Sequence, residues 1–260
     1  MLPLKVSLIQ APLVWHDPAA NRNYFADQIR QAAEADLWVL PEMFTTGFSM
    51  AADKIAEPMD GPTVNWMRDT ASKRATHLMG SLAIEENGLY YNRLVVAKPS
   101  GELLWYNKRH LFKMAGEHHA YAAGTERVVV SINGWKICLQ VCYDLRFPVF
   151  SRNHQKPAYD LLVYVANWPQ ARIFAWDHLL IARAIENQSY VLGVNRIGTD
   201  QNELRYVGHS CIIDPMGKTL VNAQENEGVY SAQLDKDYLI DIRQKLPFLQ
   251  DADSFDIRLD

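Results

Sequence analysis

Between Leu78 and Val141 the chain carries five short apolar runs: Leu78 to Ile84, Tyr91 to Ala97, Leu103 to Tyr106, Val128 to Ile132 and Lys136 to Val141. Turn signals such as Pro99-Ser100-Gly101 and Asn133-Gly134 separate them, so each reads as a strand. Their density requires more than one sheet. Helical stripes lie on either side. From Asn21 to Ala35, the apolar residues Tyr24, Phe25, Ile29, Ala32 and Ala33 recur at spacings of three and four. Pro62 to Arg74 opens on Gly61-Pro62, where the missing proline N–H costs nothing. Ile173 to Gln188 is rich in Ala, Leu and Ile without internal Gly or Pro. Further strand-like runs at Lys5 to Ala11, Leu37 to Leu40, Leu161 to Ala166, Tyr190 to Val194, Ser210 to Ile213 and Val229 to Gln233 complete an α/β pattern. No composition shift, linker or short-period repeat divides the chain, so one domain spanning 1–260 is expected.

Composition removes several function classes. Hydrophobic residues at 48% and charged residues at 22% are those of a chain that builds a core, not of a disordered one. A net charge of −4, with Lys108-Arg109-His110 as the longest basic cluster, gives no footprint for nucleic acid. Cys138, Cys142 and Cys211 form neither an even disulfide set nor a Cys-x-x-Cys pair, which points to a reducing compartment. Met1 to Trp15 lacks the form of a signal peptide and no apolar run reaches about 18 residues, so a cytoplasmic protein is expected. Gly116-Glu117-His118-His119, with His110 nearby, does not follow a zinc-hydrolase spacing, and adjacent histidines diverge on a helix or a strand. No metal site is expected. No Walker loop or Gly-x-Gly pair exists, so nucleotide chemistry is unsupported.

The segment Ile137 to Pro148 carries the most chemical information. Period two puts Cys138, Gln140 and Cys142 on one strand face and Ile137, Leu139 and Val141 on the other. Cys138 and Cys142 are separated by about 13 Å along a strand, beyond disulfide reach. Cys142 falls where the strand runs into a predicted helix, the topology that exposes a nucleophile, aims backbone N–H groups at an oxyanion and favours a thiolate. A lone strand cysteine is more often a small buried hydrophobe, and Cys138 and Cys211 keep that role. Glu42 ends the run Leu37 to Pro41, where burial would raise its pKa toward acid/base use; the alternative is a strand-end carboxylate in solvent. Lys108 ends the run at Trp105-Tyr106-Asn107, either as a fixed positive charge beside a reacting carbonyl or as a solvated cation.

Taken together, Leu-Pro-Glu at 40–42, Lys-Arg-His-Leu-Phe at 108–112 and Cys-Tyr-Asp-Leu-Arg-Phe-Pro at 142–148 resemble the Glu-Lys-Cys motifs of the nitrilase, or carbon-nitrogen hydrolase, superfamily. Asn167-Trp168-Pro169, the stretch Ala182 to Gln188, Gly208-His209-Ser210 and Asp214-Pro215-Met216-Gly217 extend the likeness over most of the chain. The motif pairing is most similar to the ω-amidases, which hydrolyse 2-oxoglutaramate and related monoamides of short dicarboxylic acids.

The resemblance implies a four-layer αββα sandwich of two mixed sheets with outer helices, usually dimeric. It implies Cys142 as nucleophile, Glu42 as general base and acid, Lys108 as oxyanion stabiliser with the Tyr143 backbone N–H, and Glu117 as a second glutamate. Glu126 competes with Glu117 by position but precedes a strand. No metal or organic cofactor is required. A distal carboxylate on the substrate needs a cation, and arginine suits planar recognition. Arg146 and Arg172 are the candidates, although Arg146 could instead pair with Asp144. Phe44, Tyr121 and Trp168 are candidate pocket walls, or ordinary core residues. The same motifs also serve nitrilases and carbamoyl-amide hydrolases, and a non-catalytic binding protein on this fold is the reading from another class.

Overall fold

A computed structural model describes residues 2–153 and 157–258. The chain enters on β1 (Leu4–Gln10), passes through α1 (Pro18–Gln31) to β2 (Leu37–Val39), then through α2 (Ala52–Ile55) and α3 (Pro62–Lys73) to β3 (His77–Glu86), β4 (Leu89–Ala97) and β5 (Leu103–Asn107). The link containing α4 (Glu117–Ala120) leads to β6 (Val129–Ile132) and β7 (Trp135–Val141). After α5 (Pro148–Ser151) come β8 (Leu161–Ala166), α6 (Ile173–Asn187), β9 (Tyr190–Asn195), the hairpin β10 (Ile197–Thr199) and β11 (Arg205–Val207), β12 (Cys211–Ile213) and β13 (Thr219–Asn222). The strand β14 (Gly228–Leu234) returns beside β1 and is followed by α7 (Lys236–Lys245).

Two six-stranded sheets result, ordered β14-β1-β2-β3-β4-β5 and β13-β12-β9-β8-β7-β6. Each is mixed: β1, β2 and β3 run parallel in the first and β7, β8 and β9 in the second, with antiparallel neighbours outside them. The sheets pack face to face through Val6, Leu8, Val39, Met79 and Val96 on one side and Ile137, Leu139, Val141, Val163 and Val194 on the other. Alternation decides the outer faces. Trp38, Leu78 and Leu82 turn outward to Phe25 and Ile29 of α1 and Met67 of α3, while Cys138, Leu162 and Val191 turn outward to Trp176, Leu180 and Ala184 of α6. The layers are therefore αββα, as the motifs imply.

Three local expectations change. The first helix starts at Pro18 and stops at Gln31, four residues short of Ala35, because the Asp17 side chain caps Ala20 N–H at 2.9 Å and Ala32 turns extended. The helix expected after Cys142 is a 3₁₀ turn, Cys142–Arg146, with only the single turn of α5 beyond it. Pro148 is the cause, since it drives Phe147 out of the helical region, to φ −118° and ψ 81°. The strands β10, β11 and β13 and the helix α7 carried no signal strong enough to be anticipated.

Candidate active site

The carboxyl ends of parallel strands from both sheets meet at one place, and the chemistry-bearing residues stand there. Glu42 lies three residues past β2 and is wholly buried. Lys108 directly follows β5, its N–H bonded to Asn92 O and its carbonyl to Gly124 N–H, each at 2.9 Å. Cys142 directly follows β7 with φ 45°, a left-handed conformation that a non-glycine residue holds only where its surroundings impose it. Glu117 opens α4 after the left-handed Gly116 and is also wholly buried, whereas its competitor Glu126 is exposed.

These side chains form a dry ionic cluster. Lys108 Nζ donates to Glu42 Oε1 at 2.9 Å and to Glu117 Oε1 and Oε2 at 3.0 and 2.9 Å, with no exposure of any of the three side chains. Asn92 Nδ2 donates to Glu42 Oε1 at 2.7 Å and Glu117 Oε1 at 3.1 Å, and Ser81 Oγ orients Asn92 from behind at 2.9 Å. The second Glu42 oxygen accepts Asn167 N–H at 2.8 Å. Burial works against the Lys108 charge, but Glu117 and Glu42 outweigh it and hold the ammonium above its ordinary pKa. Burial pushes Glu117 up, with Lys108 opposing and Glu42 assisting. Burial, then the Glu42 charge, pushes the Cys142 thiol well up, and Lys108 only partly counters them. The Cys142 thiol is thus held toward its neutral form beside Glu42, an arrangement in which a carboxylate can act on the thiol proton as a general base. Cys138 and Cys211 are buried in the outer core, with thiols raised by burial to about 11 and about 12.

A cavity of about 500 Å³ opens over Cys142, lined also by Tyr143, Asn167 and Trp168. Arg146 and Arg172 both line it. The Arg146 guanidinium lies over the Trp168 ring at 5.0 Å and that of Arg172 over Phe112 at 5.1 Å. Among the described residues neither has a carboxylate partner, so both keep their forks available. The alternative pairing of Arg146 with Asp144 does not form, because other donors occupy both Asp144 oxygens.

Two wall assignments are corrected. Phe44 is fully buried on the far side of the first sheet, edge-on to Phe25 at 5.5 Å, because the left-handed turn at Met43 (φ 43°) swings the chain outward after Glu42. Tyr121 sits behind the carboxylates among Met43, Ala52 and Ala83, with its hydroxyl donated to Ser49 O at 2.7 Å. Trp168 does line the cavity. Asn92 and Asn167 received no role from the sequence. The Asn92-Arg93 interruption of an apolar run, and Asn167 at the end of the wholly buried β8, were the available signals. His110 Nδ1 is engaged by Asp144 at 2.8 Å, and the His118 and His119 rings lie against each other at 3.8 Å. Among the described residues, no three His, Cys, Asp or Glu side chains stand where they could hold a metal ion.

An αββα sandwich with a buried glutamate-lysine cluster beside a strand-end cysteine defines a hydrolase acting on carbon–nitrogen bonds other than peptide bonds. The chain matches the carbon-nitrogen hydrolase family over residues 5–244 and belongs to it. It is 46% identical over 256 residues to an omega-amidase of Yersinia enterocolitica, YafV, covering 98% of this chain and 99% of that one. It is 34% identical over 252 residues to a 2-oxoglutaramate amidase of Bacillus subtilis, with 95% and 96% covered. A carbon-nitrogen hydrolase superfamily protein of Xanthomonas campestris with an arsenic adduct in its active site superposes with a TM-score of 0.96 at 46% identity, over 99% and 100% of the two chains. An amidase from Nesterenkonia does so at 0.80 and 26% identity, over 94% and 95%. The activity is that of an amidase. Among the described residues no helix is long and apolar enough to cross a membrane.

Proposed function

We propose that the enzyme hydrolyses the terminal amide of short dicarboxylic monoamides, 2-oxoglutaramate and 2-oxosuccinamate, to the acid and ammonia through a thioester on Cys142. The observation that carries this is the pair of guanidiniums, Arg146 and Arg172, lining the cavity over the thiol without carboxylate partners among the described residues. A substrate presenting an amide at one end and a carboxylate at the other satisfies both ends of such a cavity. The omega-amidase and 2-oxoglutaramate amidase relatives support the same substrate class.

In the acylation step Glu42 accepts the Cys142 proton and the sulfur adds to the amide carbon. Lys108 and the Tyr143 N–H, which at the start of a helical turn has no intrahelical acceptor, stabilise the oxyanion. Glu42 then protonates the nitrogen, the C–N bond breaks and ammonia leaves. For deacylation Glu42 takes a proton from water, the hydroxide adds to the thioester carbon, and the C–S bond breaks with the proton returned to sulfur. Glu117 shares Lys108 with Glu42 and keeps the ammonium in place. The chain acts as one domain over 1–260, in the cytoplasm, as a homodimer or higher homo-oligomer of the kind the family resemblance implies.

The test is ammonia release from 2-oxoglutaramate, 2-oxosuccinamate, succinamate, glutamine, a simple aliphatic amide and a short nitrile, with Cys142→Ala alongside. Release confined to the dicarboxylate monoamides and abolished in the variant is expected. Release mainly from the nitrile or the neutral amide would overturn the carboxylate specificity.

A further inference from the structure

The Lys108 and Cys142 side chains meet across a gap between two sheets. Lys108 follows β5, the edge strand of the first sheet, and Cys142 follows β7 of the second. Apolar packing holds the sheets together, but it is non-directional and does not by itself set the register of one strand end against another. A buried carboxylate does so here. Asp144, with no exposure, stands two residues after Cys142 and reaches across to the chain on both sides of Lys108. Its Oδ2 accepts Tyr106 O–H at 2.8 Å, two residues before the lysine. Its Oδ1 accepts His110 N–H at 3.0 Å and the His110 ring Nδ1–H at 2.8 Å, two residues after it. On the cysteine side, Asp144 Oδ2 also accepts Val141 N–H at 2.9 Å, which closes the turn around Cys142. Tyr106 adds one more tie by accepting Arg109 N–H at 3.0 Å. Four donors on one carboxylate offset the cost of burying it.

We propose that Asp144, with Tyr106 and His110 as its partners, is the positioning device that sets Lys108 against Cys142 for the acyl-transfer steps. It touches neither substrate nor sulfur and acts through the backbone it clamps. A catalytic group displaced by about 1 Å costs about 10²-fold in rate while leaving substrate binding intact, so the clamp governs kcat and not KM. His110 takes part through a single ring nitrogen, because a carboxylate can only accept and Nδ1 must therefore donate. The ring also stacks on Phe147 at 3.8 Å, which separates its packing role from its hydrogen bond. This inference rests on the roles proposed for Cys142 and Lys108.

The experiment uses Tyr106→Phe, His110→Phe and His110→Asn beside wild type. His110→Phe keeps the stacked ring and loses the donor, whereas His110→Asn loses the ring and offers an amide N–H near the Nδ1 position. Four quantities are read: kcat and KM for ammonia release, the rate of Cys142 alkylation by iodoacetamide, and the thermal midpoint. Expected are a kcat at least about tenfold lower in Tyr106→Phe and His110→Phe, KM within about twofold, a midpoint within a few degrees, and substantial recovery of kcat in His110→Asn. Unchanged kcat in the two phenylalanine variants, or His110→Asn as impaired as His110→Phe, overturns the proposal. Alkylation needs no substrate, so it keeps the two failures apart. If wild type releases no ammonia from any amide yet its alkylation rate still shifts in the phenylalanine variants and recovers in His110→Asn, the substrate proposal fails and the clamp stands. An alkylation rate equal in all four proteins under those conditions overturns the clamp.

Discussion

Asn167 holds Glu42 at both ends: its backbone N–H donates to Glu42 Oε2 at 2.8 Å, and its side-chain Nδ2 donates to the Glu42 carbonyl at 2.6 Å. The two residues come from different sheets and are 125 positions apart. The carbonyl contact also assigns the amide, since only Nδ2 can face a carbonyl oxygen. Asn167→Ala keeps the N–H bond and frees the Glu42 backbone. We expect kcat to fall about tenfold with a stability loss of about 1 kcal/mol. Steady-state kinetics with urea unfolding checks both, and an unchanged kcat would remove Asn167 from the site.

Glu42→Gln separates the base from its electrostatic effect. Burial is the first cause of the raised Cys142 thiol and the Glu42 charge the second, so neutralising residue 42 lowers the thiol pKa while removing the proton acceptor. Thiolate absorbance at 240 nm should therefore appear at lower pH than in wild type, while amide turnover drops at least about 10²-fold. A thiolate that appears at higher pH in the variant would reverse the assigned sign.

Lys108→Met leaves two buried carboxylates without their cation. Removing one partner of a buried pair costs about 3–5 kcal/mol, so this variant should lose stability as well as turnover. The sign with pH follows from the raised Glu117. A carboxylate raised in the folded state contributes stability below its unfolded pKa and loses it as pH rises through the folded value. Without the lysine the upward push grows, so the deficit in thermal midpoint against wild type should widen from pH 5 to pH 8. A deficit independent of pH would contradict the buried cluster.

Arg146→Ala and Arg172→Ala test the distal end of the substrate. Each should raise KM for dicarboxylate monoamides about tenfold or more, in line with the about 1.5–3 kcal/mol of a charged hydrogen bond. Turnover of a neutral amide should change little. Equal effects on charged and neutral amides would assign the arginines to packing over Trp168 and Phe112.

Gly124→Ala probes the support beneath Lys108. A Cβ at this position would stand 2.1 Å from Asn107 O, a backbone atom that cannot swing aside, while Gly124 N–H holds the Lys108 carbonyl. The loop must move off the lysine, so thermal stability and turnover should fall together. Wild-type values for both would show that the loop yields without cost.

Much of this enzyme is legible in the order of its residues. Apolar runs marked strands because a pleated strand buries alternate or all side chains, and Glu42, Lys108 and Cys142 each read as standing at a strand end. The motif spacing placed Glu117 between them. Phe44 was misplaced because its nearness to Glu42 in the chain was the only signal for the cavity, whereas it packs with Trp38 and Leu40 in the outer core. Tyr121 was misplaced because nothing local shows that it packs behind the carboxylates. Asn92, Asn167 and Asp144 act through partners 50, 125 and up to 38 positions away, so their roles exist only once the sheets are face to face. The sequence by itself determined most of the strands, the long helices and the family, and singled out the candidate reacting groups. Tertiary structure alone decided which polar groups are dry and who satisfies them, because a buried charge takes its pKa and its orientation from neighbours brought together by packing.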